Sequence, residues 1–198
     1  MPQHKAYTLT SGEIGLRPLG EGDIQQRYVD WLNDPEVNRF LETRHQRQDM
    51  DAIRAFVAVV NAAQDSHLFG IFHIPSAAHL GNIKVGPISS RHLHADVSLF
   101  LGERSFWGRG CATAAIACIT RYGFTTLGLL KLEAGCYEQN VASRRAFEKC
   151  GYAVEGILSD HLLLEGVPSA RVCLGLTRKV WLARAAQKTD IPEAGGGL

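Results

Sequence analysis

The 198-residue sequence has no apolar run that approaches the ~20 residues of a membrane-spanning helix. It also has no excess of charge, because 21 basic and 20 acidic side chains leave a formal net charge of +1. A charge-driven nucleic-acid binder is therefore excluded. No apolar segment of a signal peptide occurs in the first residues, MPQHKAYTLTSGE. We expect a cytoplasmic protein that binds neither a membrane nor nucleic acid.

Cysteine is sparse, and its spacing fits neither a disulfide framework nor a zinc site. The chain has five cysteines, an odd number at wide intervals, and no Cys-x-x-Cys pair. We expect them to be reduced thiols that pack as small apolar groups. His92 and His94 could share a metal ion, but the sequence fixes no third ligand, and so no metal site is predicted.

The remaining composition is that of one ordinary globular domain. Hydrophobic residues make up 45% of the chain and charged residues 21%, and 198 residues suffice for one core. The last residues, KTDIPEAGGGL, are polar and rich in glycine, which is typical of a frayed terminus. We therefore predict a single domain over residues 1–187 and a flexible tail over residues 188–198.

Apolar periodicity predicts an α/β sandwich built on a mixed sheet of about six to seven strands, flanked by about four helices. Two helices follow the first strand, three strands come next, and the second half contains a β-α-β unit. The segment Asn33-Asp34-Pro35 is predicted to end the first helix, because the residue before proline avoids the helical conformation. The predicted strands cover residues 13–18, 67–73, 81–88, 92–101, 130–137, 153–164 and 169–180, and the predicted helices cover residues 22–32, 49–63, 110–124 and 142–149.

A glycine-rich turn joins the fourth predicted strand to the third helix and has the features of an anion site. The first N–H groups of a helix have no partner inside the helix, and the helix dipole favours an anion beside them. Gly108 and Gly110 carry no Cβ that would keep an anion from the backbone, and Arg109 adds a positive charge. Two familiar phosphate loops are excluded, since Gly-Lys-Ser/Thr is absent and Thr113 stands where a dinucleotide fingerprint needs its third glycine.

Two blocks of sequence together resemble the GNAT superfamily of N-acetyltransferases. The segment Trp107-Gly108-Arg109-Gly110-Cys111-Ala112 resembles the family's acetyl-CoA loop, with Trp107 in the place of the usual Gln or Arg. The segment from Asn140 to Tyr152 resembles the family's Asn-x-x-Ser…Gly-Tyr block. Trp107 and the opening Trp31-Leu32-Asn33-Asp34-Pro35 are similar to the branch of ribosomal-protein N-terminal acetyltransferases, the RimJ/RimL-like enzymes. The likeness spans roughly residues 13–181.

The resemblance implies acetyl-CoA as co-substrate and a GNAT-like sheet whose fourth main strand splays from its neighbour at a bulge. In the family, the freed backbone groups of this strand bind the pantetheine amides, one N–H donates to the thioester oxygen, and the loop binds the pyrophosphate. The residues to which the resemblance assigns cofactor binding are Leu99, Phe100, Leu101, Arg104, Trp107, Gly108, Arg109, Gly110, Cys111, Ala112, Thr113, Asn140, Ser143 and Phe147.

The fourth strand also supplies the candidates for the general base. Alternation places an apolar row on one face of this strand and a polar row on the other. The segment Ala95-Asp96-Val97 resembles the Ala-Glu-Ile strand of several GNAT enzymes, whose acidic residue draws the amine proton through water, so Asp96 is the leading base. His94 is the alternative, because histidine ordinarily titrates near neutral pH. The apolar row is Leu93, Ala95, Val97 and Leu99, and the polar row is His92, His94, Asp96 and Ser98.

The tyrosine that many relatives use as general acid is replaced here by Phe147. Ser143 is the favoured substitute, by resemblance to the ribosomal-protein branch, and Cys136 and Tyr137 are weaker candidates. Asn140 is suited to cap the helix and, by resemblance, to contact the cofactor arm. Cys136 has no flanking histidine that would make it an acyl-carrying nucleophile. Phe147 also leaves open a second hypothesis, a non-catalytic module that binds or senses CoA.

The acceptor is predicted to be a primary amine whose identity the sequence leaves open. The branch implies a protein N-terminal α-amine, and the alternatives are a nucleotide-linked amino sugar, a polyamine or another small molecule. Arg39 and Arg44 would suit an acidic or phosphorylated acceptor. An exposed final strand could support a homodimer, so the chain is expected to be a monomer or a homodimer. The residues expected to bind the acceptor are Trp31, Asn33, Arg39, Phe40 and Arg44.

Overall fold

One mixed sheet of eight strands organises the protein in a computed structural model that describes residues 6–189. The strands lie in the order β1-β2-β3-β4-β5-β6-β8-β7, and β5 and β6 form the parallel pair among antiparallel neighbours. The strand that the sequence analysis missed is β1, which has three residues and is too short to show periodicity. The strands are β1 (Leu9–Ser11), β2 (Ile14–Pro18), β3 (His67–His73), β4 (Ala78–Ser89), β5 (His94–Leu101), β6 (Lys131–Tyr137), β7 (Ala153–Leu164) and β8 (Val167–Thr177).

Six α-helices flank the sheet within the described residues, two more than predicted. Asp34 both ends the first helix and begins the second, because its carboxylate accepts from the N–H of Glu36 while Pro35 occupies the first helical position. The last predicted strand was too long, since it ends at Thr177 and the chain then turns into a helix. The helices are α1 (Gln26–Asn33), α2 (Pro35–Asn38), α3 (Met50–Ala62), α4 (Cys111–Thr125), α5 (Val141–Lys149) and α6 (Arg178–Thr189).

Each face of the sheet is covered by its own apolar cluster. On one face, Ile116 and Ile119 of α4 pack into a buried cluster with Ile83 and Leu132 of the strands. On the other face, helices α1 and α3 cover the first half of the sheet through a second buried cluster, which includes Tyr28, Trp31, Leu32, Ile53 and Val57. The two layers confirm the predicted α/β sandwich. None of the described helices is both long and apolar enough to cross a bilayer.

The parallel strands β5 and β6 separate after three residue pairs. They pair at His94 with Lys131, at Ala95 with Leu132 and at Asp96 with Glu133, and β6 then continues beside β8. From Val97 to Leu101, β5 pairs with β4 on one edge only, so its other edge borders an open gap. The splay predicted for the fourth main strand is therefore confirmed.

The bulge that accompanies the gap lies on β4 rather than on β5. Val85 pairs with Val97 whereas Ile88 pairs with Ala95, so β4 carries one extra residue opposite Asp96. The start of β5 was also placed too early, because it begins at His94. Leu93 lies in the preceding turn with a φ of 54° and is exposed, and so it is not part of the apolar row.

The edges of the sheet differ from the expectation as well. The last strand, β8, lies between β6 and β7, and β7 is the strand at the edge. A homodimer that pairs strands at this end would therefore use β7 and not β8. The predicted tail lies outside the described residues, except that positions 188 and 189 belong to the backbone of α6.

Candidate active site

A cavity of about 450 Å³ lies where β5 and β6 separate. Val37 and Leu41 line it and also pack against the buried cluster formed by α1 and α3, called here the α1–α3 cluster. Cys111 of α4 and Ala146 of α5 also line it, and they belong to the buried cluster on the other face of the sheet. Because its walls come from both faces of the sheet, the cavity passes through the gap. Most of the residues predicted to bind the cofactor lie in its lining, namely Leu99, Phe100, Leu101, Trp107, Gly108, Gly110, Cys111, Ala112, Thr113, Asn140 and Ser143.

The glycines of the loop hold a backbone conformation that other residues rarely adopt. Gly108 has a φ of +72°, and Gly110, which precedes α4, has a φ of +80°. A Cβ built on either glycine meets no atom within 4 Å, so the space above them is open. The carbonyl of Gly110 accepts from the N–H of Ala114. The N–H groups of the residues between them have no acceptor within the helix, which leaves them free for an anion in the cavity.

Trp107 ties this loop to the end of β5. Its indole N–H donates to the carbonyl of Leu101 at 3.0 Å, and its ring lines the cavity. One of the backbone groups that the resemblance leaves free on β5 is therefore already bonded. Trp107 therefore holds the loop against β5 through its indole ring, which a glutamine or arginine at the same position lacks.

The hydrogen bond of Trp107 can be tested by removing only its donor. Trp107→Phe keeps an aromatic ring in the wall but loses about 1 kcal/mol of hydrogen bonding, which corresponds to about a fivefold rise in the KM for acetyl-CoA. Steady-state kinetics measure this change. Trp181→Phe is the matched control, because Trp181 of α6 packs against Phe124 of α4 and is not part of the cavity lining. An equal effect of both substitutions would contradict the assignment.

Two arginines and one phenylalanine assigned to the cofactor do not line the cavity. Arg104 forms ion pairs with Glu36 and, at 3.6 Å, with Asp34, so it joins the loop to α2. Arg109 is exposed, and its guanidinium lies 5.4 Å from the ring centre of Phe106. Phe147 is buried in the core, where its ring contacts Tyr152, and it therefore leaves the site without the phenol of many relatives.

The start of α5 forms the wall that faces the loop. The side chain of Asn140 accepts from the N–H of Ser143 at 3.2 Å, which confirms the predicted helix cap. Ser143 is half-buried and lines the cavity. The sequence analysis missed other lining residues of this helix, which follow helical spacing from Ala142, the residue before Ser143. They are Ala142, Arg145, Ala146 and Lys149.

Asp96 and His94 lie at the closed end of the gap, on the face opposite to α4. Asp96 is exposed and has neither a hydrogen-bond nor an ion-pair partner among the described residues, in the last register pair before the strands part. His94 Nδ1 lies 3.1 Å from the carboxylate of Glu133, which also contacts Lys131 at 2.9 Å. The hydrogen bond from Lys131 lowers the pKa of Glu133 against the opposing effect of burial. His94 is therefore held in an ion network, whereas Asp96 is free to accept.

Of the five residues predicted to bind the acceptor, Phe40 alone lines the cavity. Trp31 is buried in the α1–α3 cluster, where its ring covers Gly102. Asn33 holds the chain around α1 together, because its side chain bonds the carbonyls of Val29 and Gln48. These two residues are structural, and their prediction as acceptor ligands is not supported by their contacts.

The two arginines of the predicted acceptor site are already paired. Arg39 lies 3.3 Å from the carboxylate of Glu165. Arg44 is mostly buried and donates to the hydroxyl of Tyr137 at 2.8 Å and to the carbonyls of Leu163 and Leu41, each at 2.9 Å. Their charges and donors are used within the protein, so the expected anion site for an acidic acceptor is not formed.

Three of the cysteines, Cys111, Cys118 and Cys136, are buried, and Cys150 and Cys173 are half-buried. Cys136 is 8% exposed, and burial raises the pKa of its thiol, which disfavours the thiolate that a nucleophile needs. Burial also raises the pKa of Cys111 at the start of α4. Within residues 6–189, no group of histidine, cysteine or acidic side chains is arranged to hold a metal ion.

Comparison with known proteins agrees with this geometry. A family model described as an acetyltransferase (GNAT) domain matches residues 13–153, more than half of the chain. The chain belongs to the GNAT acetyltransferase family. As a GNAT enzyme it is an acyltransferase, and acetyl-CoA is its co-substrate.

Two relatives are 25% and 29% identical to this chain over the aligned residues. An uncharacterized N-acetyltransferase, YoaA of Bacillus subtilis (strain 168), is 25% identical over 81% of this chain and 90% of its own length. Spermidine N(1)-acetyltransferase of Escherichia coli (strain K12) is 29% identical over 77% of this chain and 80% of its own. Neither relative is named as a ribosomal-protein acetyltransferase, and the RimJ/RimL-like branch stays a prediction.

The solved structures show the same fold. Spermidine N-acetyltransferase from Vibrio cholerae, in complex with CoA and spermine, has a TM-score of 0.77 and 18% identity, and the match covers 87% of this chain and 99% of that one. At 18% identity, this likeness shows the fold of the chain and does not identify its acceptor.

The cavity of this GNAT enzyme fits a phosphate-bearing thioester. The open cradle above Gly108 and Gly110, with free N–H groups at the start of α4, suits the phosphates. The unpaired edge of β5 offers backbone donors and acceptors to an amide-containing arm. Acetyl-CoA supplies the acetyl group, and the chain supplies the orientation, the hydrogen-bond donors and the groups that exchange protons.

Proposed function

We propose that this GNAT enzyme acetylates a primary amine of a small cationic molecule, of which polyamines are the leading class. The observation that carries the proposal is the pairing of Arg39 with Glu165 at 3.3 Å and of Arg44 with Glu42 at 3.7 Å on the acceptor side. With these charges neutralised, an acidic acceptor would find no counter-ion there. The name of the spermidine-acetylating relative supports the same class of acceptor.

The acceptor reaches the gap from the α2 side of the sheet. Phe40 gives this entrance an apolar wall, and Asp96 and Glu42 carry exposed carboxylates on the same side. Carboxylates beside an apolar wall favour a cation with a methylene chain over an anion. The ammonium ends of a polyamine match this arrangement.

An ammonium ion sheds two protons in all when its nitrogen becomes an amide. One proton leaves before the nitrogen can attack, and the other leaves as the bond to carbon forms. We assign the second proton to Asp96, which accepts it through water from the closed end of the gap. A backbone N–H of β5 that faces the gap donates to the thioester oxygen. Ser143 takes the role of the missing tyrosine. It lines the cavity, and its hydroxyl hydrogen-bonds the departing sulfur.

A protein N-terminal α-amine is the second candidate acceptor. It rests on the resemblance of the Trp107-Gly108-Arg109-Gly110 loop to the ribosomal-protein branch. An α-amine has a pKa near ~8, against ~10.4 for a lysine-like amine, and so it needs less help to lose its first proton. The two candidates therefore differ in how strongly activity depends on pH.

Release of free CoA thiol from acetyl-CoA, measured with a panel of amines, tests the proposal. Spermidine is expected to give the highest kcat/KM, followed by a short peptide with a free N-terminus, and a nucleotide-linked amino sugar is expected to give little. A reaction without amine measures hydrolysis. A peptide far superior to spermidine would favour the second candidate, and CoA binding without turnover on any amine would indicate a non-catalytic module.

A further inference from the structure

The acceptor side of the gap contains a buried phenol between a carboxylate and a guanidinium. The hydroxyl of Tyr137 donates to Glu42 Oε1 at 2.7 Å and accepts from Arg44 at 2.8 Å. Tyr137 is 4% exposed, whereas the side chain of Glu42 is 70% exposed. The buried hydroxyl of Tyr137 is thus linked by one hydrogen bond to the solvent-exposed carboxylate of Glu42.

The position of Tyr137 places this pair beside the acceptor. Tyr137 ends β6, four residues after the last pairing with β5, on the side of β6 that carries Glu133. Its ring centre lies 5.8 Å from that of Phe40, which lines the cavity. If β5 and β6 stayed paired in the same register, Tyr137 would lie opposite Phe100, one of the β5 residues that line the cavity. Tyr137 therefore borders the wide end of the gap on the face from which the acceptor enters.

We propose that Tyr137 and Glu42 form a proton relay that converts the acceptor ammonium to the neutral amine before it attacks. The N–H bond of the ammonium breaks as its proton bonds to the phenolic oxygen of Tyr137. The O–H bond of the phenol breaks in the same step, and that proton bonds to Glu42. The nitrogen keeps the electron pair, the phenol is restored, and Glu42 returns its proton to water. This inference rests on the proposed amine acetylation and deepens it.

The phenolic oxygen has a lone pair available for this step. It accepts from Arg44 and holds its own proton toward Glu42, which leaves one lone pair for the N–H of the acceptor. The positive charge of Arg44 next to that lone pair favours a neutral nitrogen over a charged one. Arg44 also bonds the carbonyls of Leu41 and Leu163, so it is a positioning residue whose contacts outside the relay persist without the phenol.

Burial of the phenol and its contact with a carboxylate both favour its protonated form. Burial, together with the hydrogen bond to Glu42, raises the pKa of Tyr137 above its ordinary value near ~10. The ionisable groups around it come from several elements. These groups are Glu42, Arg44 and His45 from the segment that follows α2, Arg39 beside Phe40, Glu165 of the β7–β8 turn, Arg171 opposite Tyr137 on β8, and Asp96 and Glu133 at the closed end of the gap.

Tyr137→Phe tests the relay through the pH dependence of kcat/KM for spermidine, measured by thiol release. At pH 7 a polyamine nitrogen with a pKa near ~10 is almost wholly protonated, and the variant is expected to lose about 10²-fold in kcat/KM. Near pH 10 about half of the amine is neutral before it binds, so the loss is expected to shrink to about threefold or less. Glu42→Gln, which keeps an oxygen that accepts from the phenol, is expected to show the same pattern.

Tyr152→Phe is the matched control. Tyr152 is also a buried phenol, hydrogen-bonded to Thr120 at 3.0 Å, but it belongs to the buried cluster of α4 and contacts Phe147 rather than the cavity-lining Phe40. Its substitution is expected to leave the pH profile unchanged. A Tyr137→Phe loss that is equal at pH 7 and pH 10 would identify a structural role and overturn the relay, as would no loss at either pH. Absence of wild-type turnover on every amine at both pH values would instead overturn the proposed function.

Discussion

Gly110→Val is expected to raise the KM for acetyl-CoA by about 30-fold or more. Gly110 holds a φ of +80° at the start of α4, and a Cβ there would project into open space of the cavity. A β-branched residue would strain this conformation by about 1–3 kcal/mol or turn the following N–H groups away. Loss of one hydrogen bond to a charged group amounts to about 2 kcal/mol, which corresponds to the stated change. Initial rates at varied acetyl-CoA concentration measure the effect.

Gly166→Val separates strain from lost binding. Gly166 lies in the β7–β8 turn with a φ of +82°, and a Cβ there also meets no atom within 4 Å. Its substitution is expected to lower the melting temperature about as much as Gly110→Val but to leave the KM for acetyl-CoA unchanged. Equal changes of KM in both variants would show that the loop around Gly110 does not bind the co-substrate.

Asp96→Asn is expected to lower kcat by about 10²-fold with little change in the KM for acetyl-CoA. The amide cannot accept the proton that leaves the nitrogen as the amide bond forms. This proton leaves after the amine has become neutral, so the loss is expected to persist near pH 10. In that respect it differs from the loss in Tyr137→Phe. Steady-state kinetics from pH 6 to 10 distinguish the two.

Two further variants check the assignment of the base. Asp51→Asn removes a carboxylate that is 92% exposed on α3 and is expected to leave kcat unchanged. His94→Gln tests the alternative base and is expected to have a small effect, because His94 already contacts Glu133. A larger loss in His94→Gln than in Asp96→Asn would reverse the assignment.

Strong local periodicity made most elements predictable from the sequence. The predicted strands over residues 67–73 and 153–164 have the bounds of β3 and β7, and the two longest helices are correct to within two residues. Helix α6 was missed because Arg178–Thr189 has few large apolar side chains, among which Trp181 packs on Phe124. The short elements β1 and α2 are set by their neighbours rather than by a pattern of their own.

The cofactor side of the site was predictable because its residues are contiguous. The loop from Trp107 to Thr113 and the cap at Asn140 each occupy one short segment with a local conformation. The acceptor side was not, since it depends on contacts between distant segments. Arg44 and Tyr137 are 93 positions apart, and no spacing rule indicates that the guanidinium is used by the phenol. The partners of Arg44 were not predictable for this reason.

Amide chemical shifts on titration with CoA test the central claim most directly, because they report the backbone N–H groups themselves. The largest shifts are expected at residues 108–113, with further shifts along residues 97–101 and at the start of α5. Gly166 and its neighbours are expected to remain unperturbed. Saturable shifts centred elsewhere, with residues 108–113 unchanged, would contradict the account.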